Sequence, residues 1–189
     1  MEWTWDLSIL YRDFDDPKIA ADFARLQQTV ENAKGLMQGD PQTALENMMA
    51  AMEEIRLLSG HLGGFASLTL ATDASNERAQ QLMDKLMNYR VQISLLSSAF
   101  VRYVGGIDHL DALIEKSEKL QKVRFVLEHT REEAAHVMDP AIEEWMLKMS
   151  LTGGDAFSTL RDKLDATLMV DYRGEQISLA AARALAYDP

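Results

Sequence analysis

The sequence contains no cysteine, so disulfide bonds and thiolate chemistry are excluded. This composition is compatible with a reducing compartment, and we expect a cytoplasmic protein. The N-terminus lacks a basic segment followed by an apolar core, so we expect no secretory signal. No apolar run approaches the roughly 18 residues that a membrane-spanning helix needs. The sequence therefore predicts no membrane partner.

Positive charge is scarce as well. The 189 residues include 19 Lys and Arg against 30 Asp and Glu, which gives a formal net charge of -11. Nucleic-acid binding is driven by positive charge on the protein, so we expect no nucleic-acid partner. The length is typical of one domain, and we interpret residues 1–189 as a single helical domain.

Apolar residues recur at helical spacing in the middle of the chain. Residues 43–104 contain two stretches in which apolar positions lie three and four residues apart, which predicts two long helices. The polar stretch 72–77 between them has residue types that end one helix and begin another. A single helix of this length cannot bury its apolar face alone, so we expect the two to pair. The apolar positions are Leu45, Met48 or Met49, Met52, Ile55, Leu62, Phe65 or Ala66 and Thr69 in the first, and Ala79, Leu82, Leu86, Tyr89, Ile93, Leu96, Phe100 and Tyr103 in the second.

Capping residues predict helices before this pair. Asp6 is expected to begin a short helix that reaches Tyr11. Asp16-Pro17 is typical of a helix start, and Gly39 is expected to close that helix. Asp40-Pro41 repeats the same pattern at the start of the next helix.

Shorter helices are predicted after residue 105. Asp108 and Ser117 are expected to cap two of them, and Asp139-Pro140 and Gly153-Gly154 are expected to precede two more. We expect the helix after Asp139-Pro140 to point Ile142, Trp145, Met146 and Met149 inward, and the helix after Gly153-Gly154 to bear Phe157, Leu160 and Leu164.

Residues 168–177 depart from the helical period. Their pattern around Arg173-Gly174 predicts a small hairpin or extended segment. Ser178 is then expected to cap a last helix that stops at Asp188-Pro189. The predicted fold class is all-α, an elongated helical bundle built around a long antiparallel helical hairpin.

The histidines do not form a recognisable metal motif. His129 and His136 are seven residues apart, about 10 Å along a helix, which is too far for one zinc ion. Glu133 and His136 form one Glu-x-x-His half-motif of the di-iron bundles, but the sequence has no second copy. His61 and His109 are isolated, and we expect surface or interhelical roles for them. His-Glu-x-x-His, a Walker loop and a Gly-x-Ser-x-Gly elbow are all absent. We therefore assign no catalytic, cofactor-binding or metal-binding residue.

Four segments carry a resemblance to one protein family. They are Trp5–Ser8 with Tyr11; Leu70–Asn76 with Ala79-Gln80; His136–Asp139 with Glu143; and Asp171–Gly174 with Ser178-Leu179 and Asp188-Pro189. In this order they resemble the N-terminal region of the oligoendopeptidase F group of zinc oligopeptidases, relatives of thimet oligopeptidase. Met138 and Asp139 stand where the family pattern has Leu and Ser, and Asp can cap a helix as Ser does.

The resemblance implies a function for the chain. Enzymes of that family hold zinc through a His-Glu-x-x-His helix and a downstream Glu, all beyond this region. Their N-terminal helices form one wall of a channel that admits short peptides. The chain is then expected to be a non-catalytic N-terminal domain that is inactive alone and holds no cofactor, with zinc in the full-length enzyme. Its expected partners are short peptides and the missing C-terminal catalytic domain.

Two other interpretations remain open. A stand-alone helical interaction protein would bind partner helices and would show an exposed apolar patch on the long hairpin. A ferritin-like metal bundle would bind iron in stoichiometric amount.

Overall fold

The structure is a computed structural model that describes residues 6–185. The chain forms two compact units, Met1–Pro140 and Ala141–Pro189. Helices dominate both units, which confirms the all-α fold class. The interpretation of residues 1–189 as a single domain stays a prediction. Trp5, the first residue of the N-terminal resembling segment, lies outside the described residues, as does the predicted helix end at Asp188-Pro189.

The described part of the first unit contains three long helices followed by three short ones. They are α1 Pro17–Ala33, α2 Pro41–Thr72, α3 Glu77–Gly105, α4 Leu110–Lys116, α5 Glu118–Lys122 and α6 Arg124–Glu133. Helices α1 and α2 pack together, α2 pairs with α3, and α3 packs against α6. A 3-10 turn at Ala134–His136 follows α6.

Side-chain caps begin the three long helices where the sequence predicts them. The Asp16 carboxylate accepts a hydrogen bond from the backbone N–H of Lys18, at 3.0 Å. Asp40 accepts one from Thr43 N–H at 2.9 Å. Asn76 does the same at the start of α3. Each cap satisfies a donor that the first turn of a helix leaves unpaired.

Helices α2 and α3 form the predicted antiparallel hairpin. Only residues 73–76 separate them. A Cβ placed on Gly63 would lie 3.7 Å from Leu86 Cδ1, so the middle of one helix contacts the middle of the other. At the far end, burial and the nearby charge of Asp40 raise the pKa of Tyr103, because the start of α2 lies beside the end of α3.

The core of the first unit lies along this hairpin and under the shorter helices. The predicted apolar stripes of both long helices contribute to it, and so do α1, α4, α5 and α6. The buried apolar side chains, helix by helix, are Leu26, Val30 and Ala33; Ala44, Leu45, Met48, Ala51, Ile55, Leu58, Leu62, Phe65 and Ala66; Ala79, Leu82, Leu96, Phe100 and Val104; Leu110, Leu113 and Ile114; and Leu120 and Leu127.

Three of the predicted helix boundaries in this unit are wrong. Residues Asp6–Tyr11 form a turn rather than a helix, with Tyr11 N–H bonded to Leu7 C=O at 3.2 Å. Helix α1 ends at Ala33, well before Gly39, because the intervening residues form turns. Helix α4 starts after His109 with no side-chain cap, so Asp108 is not its N-cap.

The helix predicted to begin near Ser117 is divided. Ser117 caps it as predicted, since its hydroxyl accepts from Leu120 N–H at 3.3 Å. The helix then ends at Lys122, and α6 starts on the other side of Val123. The spacing of the apolar residues does not reveal this break, because Leu120 and Leu127, which lie on either side of it, are both buried.

The second unit contains α7 Pro140–Thr152, α8 Gly154–Thr167, β1 Met169–Tyr172, β2 Glu175–Ser178 and α9 Leu179–Leu185. Strands β1 and β2 pair antiparallel, with Val170 opposite Ile177. Arg173 and Gly174 join them with φ angles of 56° and 85°. Positive φ at both positions is typical of a type I′ hairpin turn. The predicted hairpin is therefore confirmed.

Among the described residues, no helix combines the length and the apolar character that crossing a bilayer requires.

Candidate interaction surface

Helix α7 exposes the apolar residues that we expected to point inward. Trp145 is 69% exposed and Met149 is 66% exposed, and Ile142 and Met146 are also more than half exposed. The prediction was wrong because α7 has apolar residues on two opposite faces. At 100° per residue, Leu147 and Leu151 lie opposite this group, and they are the half-buried ones. We call the group Ile142, Trp145, Met146 and Met149 the α7 face.

Helix α8 presents a second apolar stripe. Phe157 is 71% exposed, and Leu160 and Leu164 are also more than half exposed. Their spacing of three and four residues places them on one side of the helix. We call these three residues the α8 face. Thr159, Asp162 and Ala166 lie on the opposite side.

The joint between α7 and α8 depends on glycine. Gly153 N–H bonds Met149 C=O at 2.8 Å, which closes the last turn of α7. A Cβ on Gly153 would lie 2.9 Å from that carbonyl oxygen, too close for a side chain. The two helices with exposed faces are thus joined by one residue at which glycine is required.

The second unit buries no residue from 141 to 185. Amphipathic helices in proteins gain most of their stability when their apolar face is covered. Monomeric proteins seldom expose apolar patches beyond a few hundred Å², and larger ones mark interaction sites. The α7 and α8 faces together are therefore the candidate functional surface of the described chain.

A groove in the first unit is the alternative candidate. It lies between α1 and α2 and has a volume of about 520 Å³. Most of the charged side chains that line the groove contact one another or neighbouring residues of the same chain. Glu54 pairs with Arg25 and accepts from Thr29, Asp22 accepts from the Tyr11 hydroxyl at 2.8 Å, and Lys18 donates to a backbone carbonyl. These contacts explain the groove as part of the α1–α2 packing.

Glu46 positions the short helices of the first unit. Its carboxylate, on α2, accepts from the buried Ser117 hydroxyl at 2.7 Å and contacts Lys119 Nζ at 3.2 Å. These bonds, together with one from Gln42, hold the pKa of Glu46 below its usual range. The N-terminus of α5 is thereby tied to the long hairpin.

The structure places the two residues of the Glu-x-x-His half-motif, Glu133 and His136, in different helical segments. Helix α6 ends at Glu133, and His136 lies in the following 3-10 turn. The i, i+3 geometry that the di-iron motif needs on one helix is therefore not formed. His129 Nε2 lies 3.4 Å from a Glu133 oxygen, and its ring stacks on the exposed Phe125 at 6.1 Å between centroids. This arrangement is a surface polar contact together with a ring contact.

The remaining two histidines lie elsewhere in the first unit. His61 is half-buried and lines the α1–α2 groove, and His109 is exposed. Across residues 6–185, no three His, Asp or Glu side chains are grouped so that they could hold a metal ion. The described residues therefore do not fit a zinc site, and no catalytic step can be derived from them.

Comparison with known proteins finds a family match over part of the chain. A family model described as oligopeptidase F, for the N-terminal domain, matches residues 106–169. This segment belongs to the oligopeptidase F N-terminal domain. The match confirms the resemblance. It covers about a third of the chain and leaves out the long hairpin.

The oligopeptidase F segment includes the candidate surface. It starts at Gly106, just after α3, and ends at Met169, the first residue of β1. Both the α7 face and the α8 face lie within it. Of the four resembling segments, only His136–Asp139 with Glu143 falls inside it. Neither the curated proteins nor the solved structures yielded a significant match.

The sequence held one signal for the surface that our prediction missed. Apolar residues occupy both sides of α7, so that one side must remain uncovered unless the helix is surrounded. That pattern identifies two candidate faces. It does not identify which of the two has a neighbour.

Proposed function

We propose that the chain is the N-terminal, non-catalytic domain of an oligoendopeptidase F-like zinc metallopeptidase. In this proposal its helices form one wall of the channel through which short peptides reach the catalytic domain. The observation that carries the proposal is the oligopeptidase F match over residues 106–169. The cytoplasm is the proposed location, and the zinc is held by the catalytic domain.

The chemistry of the chain supports a positioning role. It contains no His-Glu-x-x-His, and its described residues offer no metal site. The long hairpin packs against a continuous core, which suits a wall, since a wall must keep its shape while substrates pass. Selection by size then comes from the width of the channel.

The test joins this chain in one polypeptide to the catalytic segment of an oligopeptidase F enzyme, in place of that enzyme's own N-terminal domain. Cleavage of quenched fluorescent peptides of increasing length is measured with zinc present. We expect cleavage of short peptides, a sharp decline with length, and no cleavage of a folded protein. The catalytic segment alone should lose activity or lose this length limit.

Two controls complete the experiment. The 189-residue chain alone should cleave no peptide at any zinc concentration, and zinc-dependent cleavage by it would refute a non-catalytic role. A fusion whose catalytic His-Glu-x-x-His glutamate is replaced by glutamine should be inactive. A length limit that is the same with and without this chain would refute the channel wall.

A second candidate is a stand-alone interaction protein that binds partner helices. The exposed α7 and α8 faces favour it, since apolar helix faces are bound by other helices. This interpretation expected an exposed apolar patch on the hairpin, where the large exposed apolar residues include Leu57, which is 46% exposed. The interpretation predicts that an amphipathic peptide helix binds the chain with a stoichiometry of one, as measured by isothermal titration calorimetry. Absence of binding would count against it.

A further inference from the structure

The residues before α1 pack on the end of the hairpin at which α2 is connected to α3. We call residues 7–16 the strap, and residues 62–82 the hairpin tip. Tyr11 is only 1% exposed, although the strap forms turns rather than a helix. Its ring meets the ring of Phe65, on α2, edge to face at 5.4 Å between centroids, and the ring of Phe14 lies 4.9 Å from the same ring. The strap therefore supplies apolar cover to the tip.

The strap also contacts α3. Arg78 donates two hydrogen bonds to the Asp15 carboxylate, at 2.9 Å and 2.6 Å. The guanidinium carbon of Arg78 lies 5.4 Å from the centre of the Phe14 ring. A guanidinium with two bonds to one carboxylate is fixed in orientation as well as in distance. One short segment thus joins both helices of the hairpin.

A third set of contacts holds the strap to α1. The Tyr11 hydroxyl donates to Asp22 at 2.8 Å. Lys18 Nζ donates to the backbone carbonyl of Leu10 at 3.2 Å and lies 5.2 Å from the centre of the Tyr11 ring. Detachment of the strap therefore breaks contacts with all three long helices.

Helix α2 enters the tip through residues that form helix poorly. Gly60, Gly63 and Gly64 all lie within this helix. Glycine is less favourable inside a helix than any residue except proline. A Cβ on Gly64 would lie 3.8 Å from Leu10 Cδ1, so the strap covers this stretch as well. The weakest part of α2 is thus packed under the strap.

Other groups hold the opposite end of the hairpin. Glu46, near the start of α2, accepts a hydrogen bond from the buried Ser117 hydroxyl. Gly105, at the end of α3, lies against Ala134. Regions of one protein that are held by different contacts open with different free energies. The tip can therefore open while the short helices α4 to α6 stay folded.

We propose that the strap is a conformational lock on the hairpin tip, and that its detachment opens the tip without unfolding the short helices. The strap and the tip then form one cooperative unit. Opening exposes Phe65, which is 4% exposed when the strap is in place. This proposal does not depend on the proposed peptidase role.

The test uses the full chain and variants within the strap. Phe14→Ala removes the ring that contacts both helices of the hairpin. Ile9→Ala is the matched control, because that side chain belongs to the same segment and is 86% exposed. Asp15→Asn weakens the bond to Arg78 at an exposed position, where the substitution leaves the core intact.

Two measurements follow the strap and the tip separately. Trypsin cleavage after Arg12 reports detachment, because the Arg12 N–H is bonded to Asp16 at 3.1 Å while the strap is in place. Amide hydrogen exchange is compared between residues 62–82 and residues 110–133. We expect Phe14→Ala to speed both the cleavage and the exchange of the tip at least about tenfold, and to change exchange at 110–133 less than about twofold. Asp15→Asn should give the same pattern at about two- to fivefold, and Ile9→Ala should match the parent.

Three results would overturn the proposal. The first is tip exchange equal to that of the parent in Phe14→Ala, or in Asp15→Asn if Phe14→Ala does not fold. The second is faster cleavage after Arg12 without faster exchange of the tip, since the strap would then detach without opening it. Leu127→Ala, in α6, should speed exchange at 110–133 at least as much as in the tip. The third result is tip-selective exchange in Leu127→Ala as well, which would make the tip the weakest part of the fold whatever the strap does.

Discussion

Gly105 at the end of α3 is the position at which the packing of the first unit is most easily tested. A Cβ there would lie less than 3.0 Å from the Cβ of Ala134, at the start of the 3-10 turn after α6. A methyl group fixed to the backbone cannot rotate away, so the two segments must move apart. Overpacking of this kind costs about 1–3 kcal/mol.

Against this cost stands the general gain from replacing a helical glycine. Gly→Ala in a helix stabilises by about 0.5–1 kcal/mol when the site is free of contacts. Gly105→Ala should therefore lower the free energy of unfolding by about 1–2 kcal/mol. Gly60→Ala is the matched control, because no atom lies within 4 Å of a Cβ at that site of α2. It should raise the free energy of unfolding.

The assay is urea unfolding followed by circular dichroism at 222 nm, with a second variant to identify the cause. Ala134→Gly removes the opposing methyl group, and the backbone carbon that remains is 3.8 Å away, an ordinary contact. The double variant Gly105→Ala/Ala134→Gly should recover about 1 kcal/mol relative to the simple sum of the two changes. Gly105→Ala that is as stable as the parent, or a strictly additive double variant, would refute the close approach of α3 to this turn.

Three further predictions concern the core, the pH dependence and a helix cap. Leu127→Ala should destabilise the first unit by about 2–5 kcal/mol because the side chain is fully buried, whereas Leu164→Ala should change its urea midpoint little, since that side chain is 59% exposed. The pKa of Glu46 is lowered in the folded chain, so its contribution to stability is present above its ordinary pKa and is lost as the pH falls through the lowered value. Glu46→Gln should thus reduce the loss of melting temperature between pH 6 and about pH 3; a loss equal to that of the parent would contradict this. Asn76→Ala should cost about 1 kcal/mol in the same unfolding assay through loss of the α3 cap, and no change would show that the cap is dispensable.

The first unit shows how far local sequence determines structure. The caps at Asp16 and Asp40 act within three residues of their own position, so residue type and spacing were sufficient to predict them, whereas for α3 the sequence predicted a start within residues 72–77 but not Asn76 as its cap. The hairpin was equally predictable, since its apolar positions repeat over many turns and its polar connection is short. Helix ends were less predictable, because the end of α1 at Ala33 depends on turns that have no comparable signal in the sequence.

The candidate surface was decided by tertiary structure. By itself the sequence determined that α7 is a helix with apolar residues on two sides, because that follows from spacing along the chain. Which side is exposed depends on what packs against the helix, and the structure leaves Trp145 exposed and half-buries Leu147. The same holds for Glu133 and His136, whose spacing fits a metal half-motif but whose helix ends between them. The spacing of residues along a helix determines the direction in which each side chain points, whereas the burial of that side chain depends on what packs against the helix.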